Sequence, residues 1–235
     1  MIQKKITNFE AWNEEMAKKY NPDKYHRSSN IFIRFVENKR TAKIINYLDF
    51  QKSDRIIELG CGAGNIMEKI DSAEELWGVD LSDFMLKLAR QKKYKVPVEF
   101  VKANLEKLPA EITNSKFDKI YCSEVLEHVE NPGKVLAEIK KIAKKDSVIV
   151  VSIPNETLIN KIKRILQKLK LFNLFFSGIS PKMNNEWHLH LFNLAKLKEI
   201  LKENCVIDKA AGIPFRFLPL RYVVKLKLKK YGKIS

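Results

Sequence analysis

The sequence predicts an α/β fold in which a mostly parallel sheet is covered by helices on both faces. Two observations carry this. Short apolar runs alternate with segments whose apolar residues recur at helical spacing, and the first run leads at once into the glycine-rich turn Gly60-Cys61-Gly62-Ala63-Gly64. Strands spaced by helices imply right-handed crossovers, which lay helices on both sheet faces. The 235 residues suffice for one such domain with a decorated substrate side.

The elements follow in order. Phe9 to about Leu48 reads as helical, interrupted at Asn21–Asn30, with Ile31, Phe35, Ile44, Ile45 and Leu48 at helix-like spacing. Residues 1–50 are therefore expected to form a helical cap, and 51–235 the main domain. Arg55–Leu59 is a short apolar strand, and Asn65–Ile70 after the glycines a helix. Next come a strand at Leu76–Asp80, a helix from Phe84 to Lys92 and a strand at Val98–Val101. A strand at Lys119–Cys122, a helix from Gly133 to Lys144 and a strand at Ser147–Ser152 continue the alternation.

Beyond Pro154 the pattern changes. Leu158 to Phe176 sets Lys161, Lys163, Arg164, Lys168 and Lys170 among helically spaced apolar residues, an amphipathic basic helix within an insertion or lid at 156–192. Asn193–Asn204 reads as a helix and Cys205–Asp208 as a strand. Tyr222–Lys230 alternates with period two, a strand with one wet face.

Composition narrows the function. Hydrophobic residues at 45% describe a globular chain with a real core rather than a disordered one. Cys61, Cys122 and Cys205 are few and far apart and form no C-x-x-C pair, which fits a reducing, cytoplasmic setting. The opening Met1-Ile2-Gln3-Lys4-Lys5 is not the start of an apolar leader, and no apolar run nears the roughly 18 residues of a membrane span. The 44 Lys plus Arg against 28 Asp plus Glu leave a formal charge of +16, favouring anionic partners such as nucleic acid or acidic lipid headgroups. A bias toward lysine unrelated to function would produce the same excess.

The glycine loop follows a strand and opens toward a helix, so its backbone can turn sharply and approach a ligand closely. Dinucleotide enzymes use a similar device, and three neighbours refine the reading. Glu58 precedes the first glycine by two residues, where it can act through the loop on a cationic ligand group. Asp80 ends the second strand about twenty residues further on, the spacing at which an acid takes ribose hydroxyls. Asn104 lies beyond the third strand and can pair with an adenine edge. Together they outline an adenosine with a charged tail.

At these residues the chain resembles the class I S-adenosylmethionine methyltransferases. The likeness covers roughly 53–155, in the order ELGCGAG, GVDLS, VKANLEKLP and FDKIYCSEVLEHVENPGKVLAEIKKIAKKDSVIVVSIPN. It implies a Rossmann-like sheet of seven strands closed by an antiparallel hairpin, for which Cys205–Asp208 and Tyr222–Lys229 are the candidates. It further implies S-adenosylmethionine as cofactor. Glu58, Gly60, Cys61, Gly62 and Gly64 would hold its amino-acid part, Asp80 and Leu81 its ribose, Asn104 and Leu105 its adenine, with Ser123 beside it. One departure stands out: the last strand is normally inserted and covered, yet here lysines occupy one whole face.

Methyl transfer needs an aligned acceptor, excluded water and, for a hydroxyl, a base. Ser123-Glu124-Val125-Leu126-Glu127-His128 follows the fourth strand at the carboxyl edge, where ligands of open sheets bind. If a helical turn begins at Val125, Glu124, Glu127 and His128 share one side. A later cluster, Trp187-His188-Leu189-His190-Leu191-Phe192, returns over that edge. The E-x-x-E-H followed by H-x-H resembles ubiquinone-pathway O-methyltransferases, which act on polyprenylated phenols. It also resembles small-RNA 2′-O-methyltransferases, where such residues ligate magnesium. The resemblance makes Glu124, Glu127, His128 and His190 candidate Mg²⁺ ligands, and His128, His190 and Glu124 candidate catalytic groups. The same stretch also occurs without metal, positioning a loop.

Two acceptor classes follow. In ubiquinone-type enzymes the position of the basic segment meets the membrane; Phe172, Leu174, Phe175 and Phe176 would anchor it, and the acceptor would be a small or lipophilic quinol-like molecule at an anionic surface. A lid helix packed on the core is the plainer alternative. RNA is the second class, suggested by charge and the metal-like pattern but without an appended RNA-binding module. A non-catalytic adenosyl-binding protein is the remaining reading.

Overall fold

The computed structural model describes residues 6–21, 23, 30–172 and 186–229. Its elements, in chain order, are α1 (Phe9–Tyr20), α2 (Ile31–Leu48), β1 (Arg55–Leu59), β2 (Glu75–Asp80), α3 (Asp83–Arg90), β3 (Val98–Lys102) and α4 (Ala110–Thr113). They continue with β4 (Phe117–Ser123), α5 (Pro132–Ile142), β5 (Ala143–Pro154), α6 (Glu156–Lys168), α7 (Leu194–Leu201), β6 (Cys205–Phe215) and β7 (Leu218–Leu228).

The strands form one seven-stranded sheet in the order β3-β2-β1-β4-β5-β7-β6. β1 to β5 are parallel, and β7 inserts antiparallel between β5 and β6. The order reverses direction between β1 and β4, which opens a crevice at their carboxyl ends. Alternation along each strand divides the core. Ile57, Leu59, Ile120 and Cys122 face α5 and α7, while Ile56, Tyr121 and Val150 face α2 and α3. Each fully buried aliphatic side chain among them stabilises the fold by about 1.5–3 kcal/mol.

The two segments expected as a cap have different places. α2 packs against the sheet through the buried Val36, Ile44 and Leu48. α1 crosses the mouth of the crevice and packs Met16 and Ala17 with Met85 and Trp187. Asparagine side chains start several helices by accepting a backbone N–H: Asn8 for α1, Asn30 for α2, Asn131 for α5 and Asn193 for α7.

Several expectations are corrected. The helix expected over Asn65–Ile70 is a single 3-10 turn at Met67–Lys69; six residues barely repay helix nucleation, and Met67 and Ile70 are both buried at the three-residue spacing of the tighter turn. The basic helix begins two residues early, at Glu156, where Asn155 caps it, and ends at Lys168. Phe172, expected as a membrane anchor, is buried, while Leu174, Phe175 and Phe176 lie outside the described residues. The hairpin strands extend well past the expected segments. β7 is inserted in the sheet as the family pattern has it, with Val223 and Val224 both buried; only its far end is wet, where Lys227 is exposed and pairs with Asp208 at 2.6 Å.

Candidate active site

β1 ends at Leu59 and the chain turns back over β2, with Gly60 and Cys61 N–H both donating to the Val79 carbonyl at 2.7 and 2.9 Å. Gly60 and Gly62 have φ of +76° and +51°, a region side-chain-bearing residues seldom occupy. A Cβ on Gly60 would collide with Val125, whereas one on Gly62 would meet nothing within 4 Å and would project into open space. That space is a cavity of about 540 Å³ bordered by Gly60, Gly62, Asp80, Leu81, Asn104 and His128, among others.

Asp80 ties the loop to the next turn. Its Oδ2 accepts from Gly62 N–H at 2.8 Å and its Oδ1 from Ser82 N–H at 2.9 Å. Burial pushes this carboxyl above its ordinary value, with the backbone hydrogen bonds opposing. Glu58 is buried one strand inward and accepts from Tyr121 OH at 2.9 Å. Burial lifts it to about 8, against Tyr121 and Arg40, so at neutral pH it holds a proton. Burial likewise raises the Cys61 thiol well above its usual range, leaving it unreactive. Gly64 is buried beneath Tyr94, away from the open space at Gly62. Asn104 Oδ1 accepts from Glu106 N–H at 2.8 Å, which turns the loop after β3 and leaves the amide NH₂ available beside the buried Leu105.

α1 closes this half of the crevice. Glu14 accepts from Ser82 Oγ at 2.6 Å and from Phe84 N–H at 3.3 Å, at the start of α3. Lys19 and Tyr20 both reach Glu186, and Tyr20 stacks on Trp187 with ring centres 6.0 Å apart. Trp187 in turn lies 4.4 Å from the His128 ring.

Across the crevice, side chains from distant parts of the chain form an ion-pair network absent from the expectations. Arg40 of α2 donates to Ser123 Oγ at 2.7 Å and pairs with Glu37. Arg221 of β7 pairs with Glu124 and, at 3.2 Å, with Glu37. Ser152 of β5 donates to Glu124 at 3.2 Å. Glu124 sits at φ +56°, so it turns back to the arginines instead of starting a helix. Glu37, the one acid of α2, with Arg40 at i, i+3 was the one sequence signal for this network; Arg221 carried none, since only the register Pro154↔Arg221 brings it here.

The expected helical turn at Val125 is a lone turn closed by His128 N–H to Val125 O at 2.9 Å. It separates the expected set. Glu127 and His128 meet His188, with ligand atoms within 4.8 Å of one another, while Glu124 faces the arginines. His190 is turned away, its Nε2 against the Val129 and Glu130 carbonyls at 3.0 and 3.1 Å. His188, not singled out from sequence, pairs through Nδ1 with the buried Glu156 at 2.7 Å. Burial, then His188, lowers the His128 imidazole well below its ordinary value, so it is neutral, with Nδ1 3.4 Å from the Trp187 carbonyl. Burial, then Glu124, raises Glu127 well above the carboxylate range, and its Oε2 has no hydrogen-bond partner among the described residues.

A family model described as a methyltransferase domain matches residues 50–205. The ubiquinone biosynthesis O-methyltransferase of Haemophilus ducreyi is 30% identical over 110 residues, 44% of this chain and 47% of that protein. The chain thus spans about half the length of that relative. The namesake enzyme of Alkalilimnicola ehrlichii is 26% identical over 172 residues, 72% of this chain and 67% of the relative. Among solved structures, magnesium protoporphyrin IX methyltransferase from Synechocystis with bound SAH superposes with a TM-score of 0.65 at 16% identity, over 92% of this chain and 98% of that one. A TehB-like SAM-dependent methyltransferase from Corynebacterium glutamicum gives 0.58 at 16% identity, over 93% and 99%. At such identities these structures speak for the fold, and the family model speaks for more: the chain belongs to the methyltransferase-domain family, with the class I architecture of S-adenosylmethionine-dependent methyltransferases.

Proposed function

We propose that this protein transfers the methyl group of S-adenosylmethionine to an oxygen of a small or lipophilic, quinol-like acceptor at a membrane surface. One observation carries the reading: the glycine loop, Asp80 and His128 border a single cavity that runs past the charged Glu37, Arg40, Glu124 and Arg221 to an apolar stretch of wall formed by Phe32, Ile33, Ile159, Ile162 and Leu218. The residues fit the cofactor, since Gly62 faces open space, the Asp80 oxygens retain lone pairs beyond their backbone donors, and Asn104 keeps its amide NH₂. The bound cofactor supplies an electrophilic methyl group on a sulfonium.

The protein's own tasks are positional and protolytic. Asp80 holds the ribose hydroxyls, and the glycine loop, with Glu58 behind it, surrounds the charged tail. His128 is neutral and directs Nδ1 at a carbonyl, which leaves Nε2 as the acceptor of a hydroxyl proton. The apolar stretch of wall keeps water from that side of the cavity. Calorimetry with S-adenosylmethionine tests the cofactor, and turnover of prenylated catechols tests the acceptor. His128→Ala should lower kcat by about 10²–10⁴-fold with cofactor affinity retained. Indifference to the nucleoside, or faster methylation of RNA 3′ ends than of catechols, would overturn the reading.

A second reading adds a divalent cation such as Mg²⁺ to the acceptor side. The unpartnered Glu127 Oε2 beside His128 and His188 supports it, in place of the set with Glu124 and His190. Activity unaffected by EDTA would remove it.

A further inference from the structure

Three elements that meet around the apolar end of the cavity each place an exposed apolar side chain next in sequence to one that lines it. Ile31, 75% exposed, opens α2 just before Phe32; Phe217, 85% exposed, precedes Leu218 at the β6–β7 turn; Ile165, 48% exposed, precedes Leu166 in α6. Their common location is fixed by packing. Phe35 of α2 lies against Phe215, with ring centres 5.9 Å apart, and α2, the hairpin and α6 contribute Phe32, Leu220 and Ile162 to one hydrophobic cluster. At the turn Phe215 and Phe217 stack in parallel at 5.3 Å with Arg216 between them in sequence. A Phe exposed to this degree has no role in its own core, and grouped apolar exposure marks an interaction surface.

Charge selects the partner. From Thr157 to Leu171 the chain carries no acid and, besides the buried Lys163, four basic residues, and from 209 to 220 it carries Lys209 and Arg216, again with no acid. In α2, Arg34 and Lys39 flank the exposed end, and Glu37, the acid nearest them, is buried in the arginine network. A collar of apolar tips with a cationic surround matches an anionic bilayer, into which the tips sink while Lys and Arg meet headgroups. A nucleic acid would find no use for the aliphatic tips, and a protein partner would call for acids among the bases.

We infer that the β6–β7 turn, the start of α2 and the outer face of α6 form a membrane-docking collar that seats the cavity mouth on an anionic lipid surface. This rests on the lipophilic-acceptor reading, yet it assigns the contact to Phe217 and Ile31, outside the insertion that sequence singled out.

The test is flotation of the full chain with vesicles of phosphatidylcholine and phosphatidylglycerol, against vesicles of phosphatidylcholine alone. Wild type should float with the anionic vesicles and lose this in high salt. The double variant Ile31→Ser/Phe217→Ser should partition at least about tenfold more weakly, with unchanged thermal midpoint and unchanged turnover of a water-soluble catechol. Phe217→Trp should still bind, and its fluorescence should be quenched by brominated lipid. The collar is refuted if wild type stays at the bottom of the gradient, if the double variant floats like wild type, or if the double variant instead abolishes self-association or RNA retention. Loss of S-adenosylmethionine binding in a wild type that still floats would count against the proposed function and leave the collar intact.

Discussion

The two halves of the crevice are built in opposite ways. The glycine-loop half is framed by one stretch of chain, Glu58 to Leu105, and its geometry is held by backbone: Gly60, Cys61, Gly62 and Ser82 N–H groups fix the loop against Val79 and Asp80. The opposite half draws Glu37, Arg40, Ser123, Glu124, Ser152 and Arg221 from α2, β4 and the turn after it, β5 and β7, and charged side chains hold it together. A ligand shared by a whole family suits a frame that depends little on side-chain identity. An acceptor that differs among relatives suits a frame that can be rebuilt by changing side chains on distant strands.

Breaking the ion-pair network gives the largest expected effect. Arg40→Met leaves Glu37 and Ser123 facing a buried apolar group, and loss of one partner of a buried pair costs about 3–5 kcal/mol. Urea unfolding should show that loss. If the variant loses under about 1 kcal/mol, the network is a surface-like ornament and the contrast between the halves fails.

Asp80→Ala attacks the other half. It frees the Gly62 and Ser82 N–H groups and removes the ribose acceptor, so affinity for S-adenosylmethionine should fall about 100-fold or more, some 2.7 kcal/mol. Calorimetry on the folded variant reads this, and normal binding would withdraw the ribose assignment.

Glu58 sharpens the contrast through pH. Burial holds its folded value at about 8, above the ordinary 4.5, with Tyr121, Arg40 and Lys92 opposing and Asp80 reinforcing. The raised group contributes its full stability below about 4.5 and loses it as pH climbs through about 8. Relative to Glu58→Gln, the ligand-free wild type should lose on the order of a few kcal/mol across that window. Parallel stability curves for the two proteins would show that Glu58 is ionised in the fold.

The smallest effect is expected at the wet end of β7. Lys227→Ala removes an exposed pair with Asp208 and should change stability by under about 1 kcal/mol. A larger loss would mean that this face is covered by something in solution.

What was readable from sequence follows from the same contrast. The strand, glycine loop and acid at Asp80 were legible because backbone geometry forces glycine where φ is positive and because strand spacing fixes where the acid falls. Asn65–Ile70 misled because a six-residue apolar pattern does not distinguish an α-helix from a 3-10 turn. Glu124, Glu127 and His128 misled because one positive φ at Glu124 sent their side chains in two directions. His188 and His190 stand two residues apart in an H-x-H, and only the path of the chain decides which one meets His128.

By itself the sequence determined the alternating architecture, the glycine loop and the order of the residues around it, since these are properties of contiguous chain. Tertiary structure decided the partners of Arg40 and Arg221, the histidine that faces Glu127, and the meeting of Phe35 with Phe215. Those are juxtapositions across long loops, set by strand register and core packing, and local propensity carries no information about them.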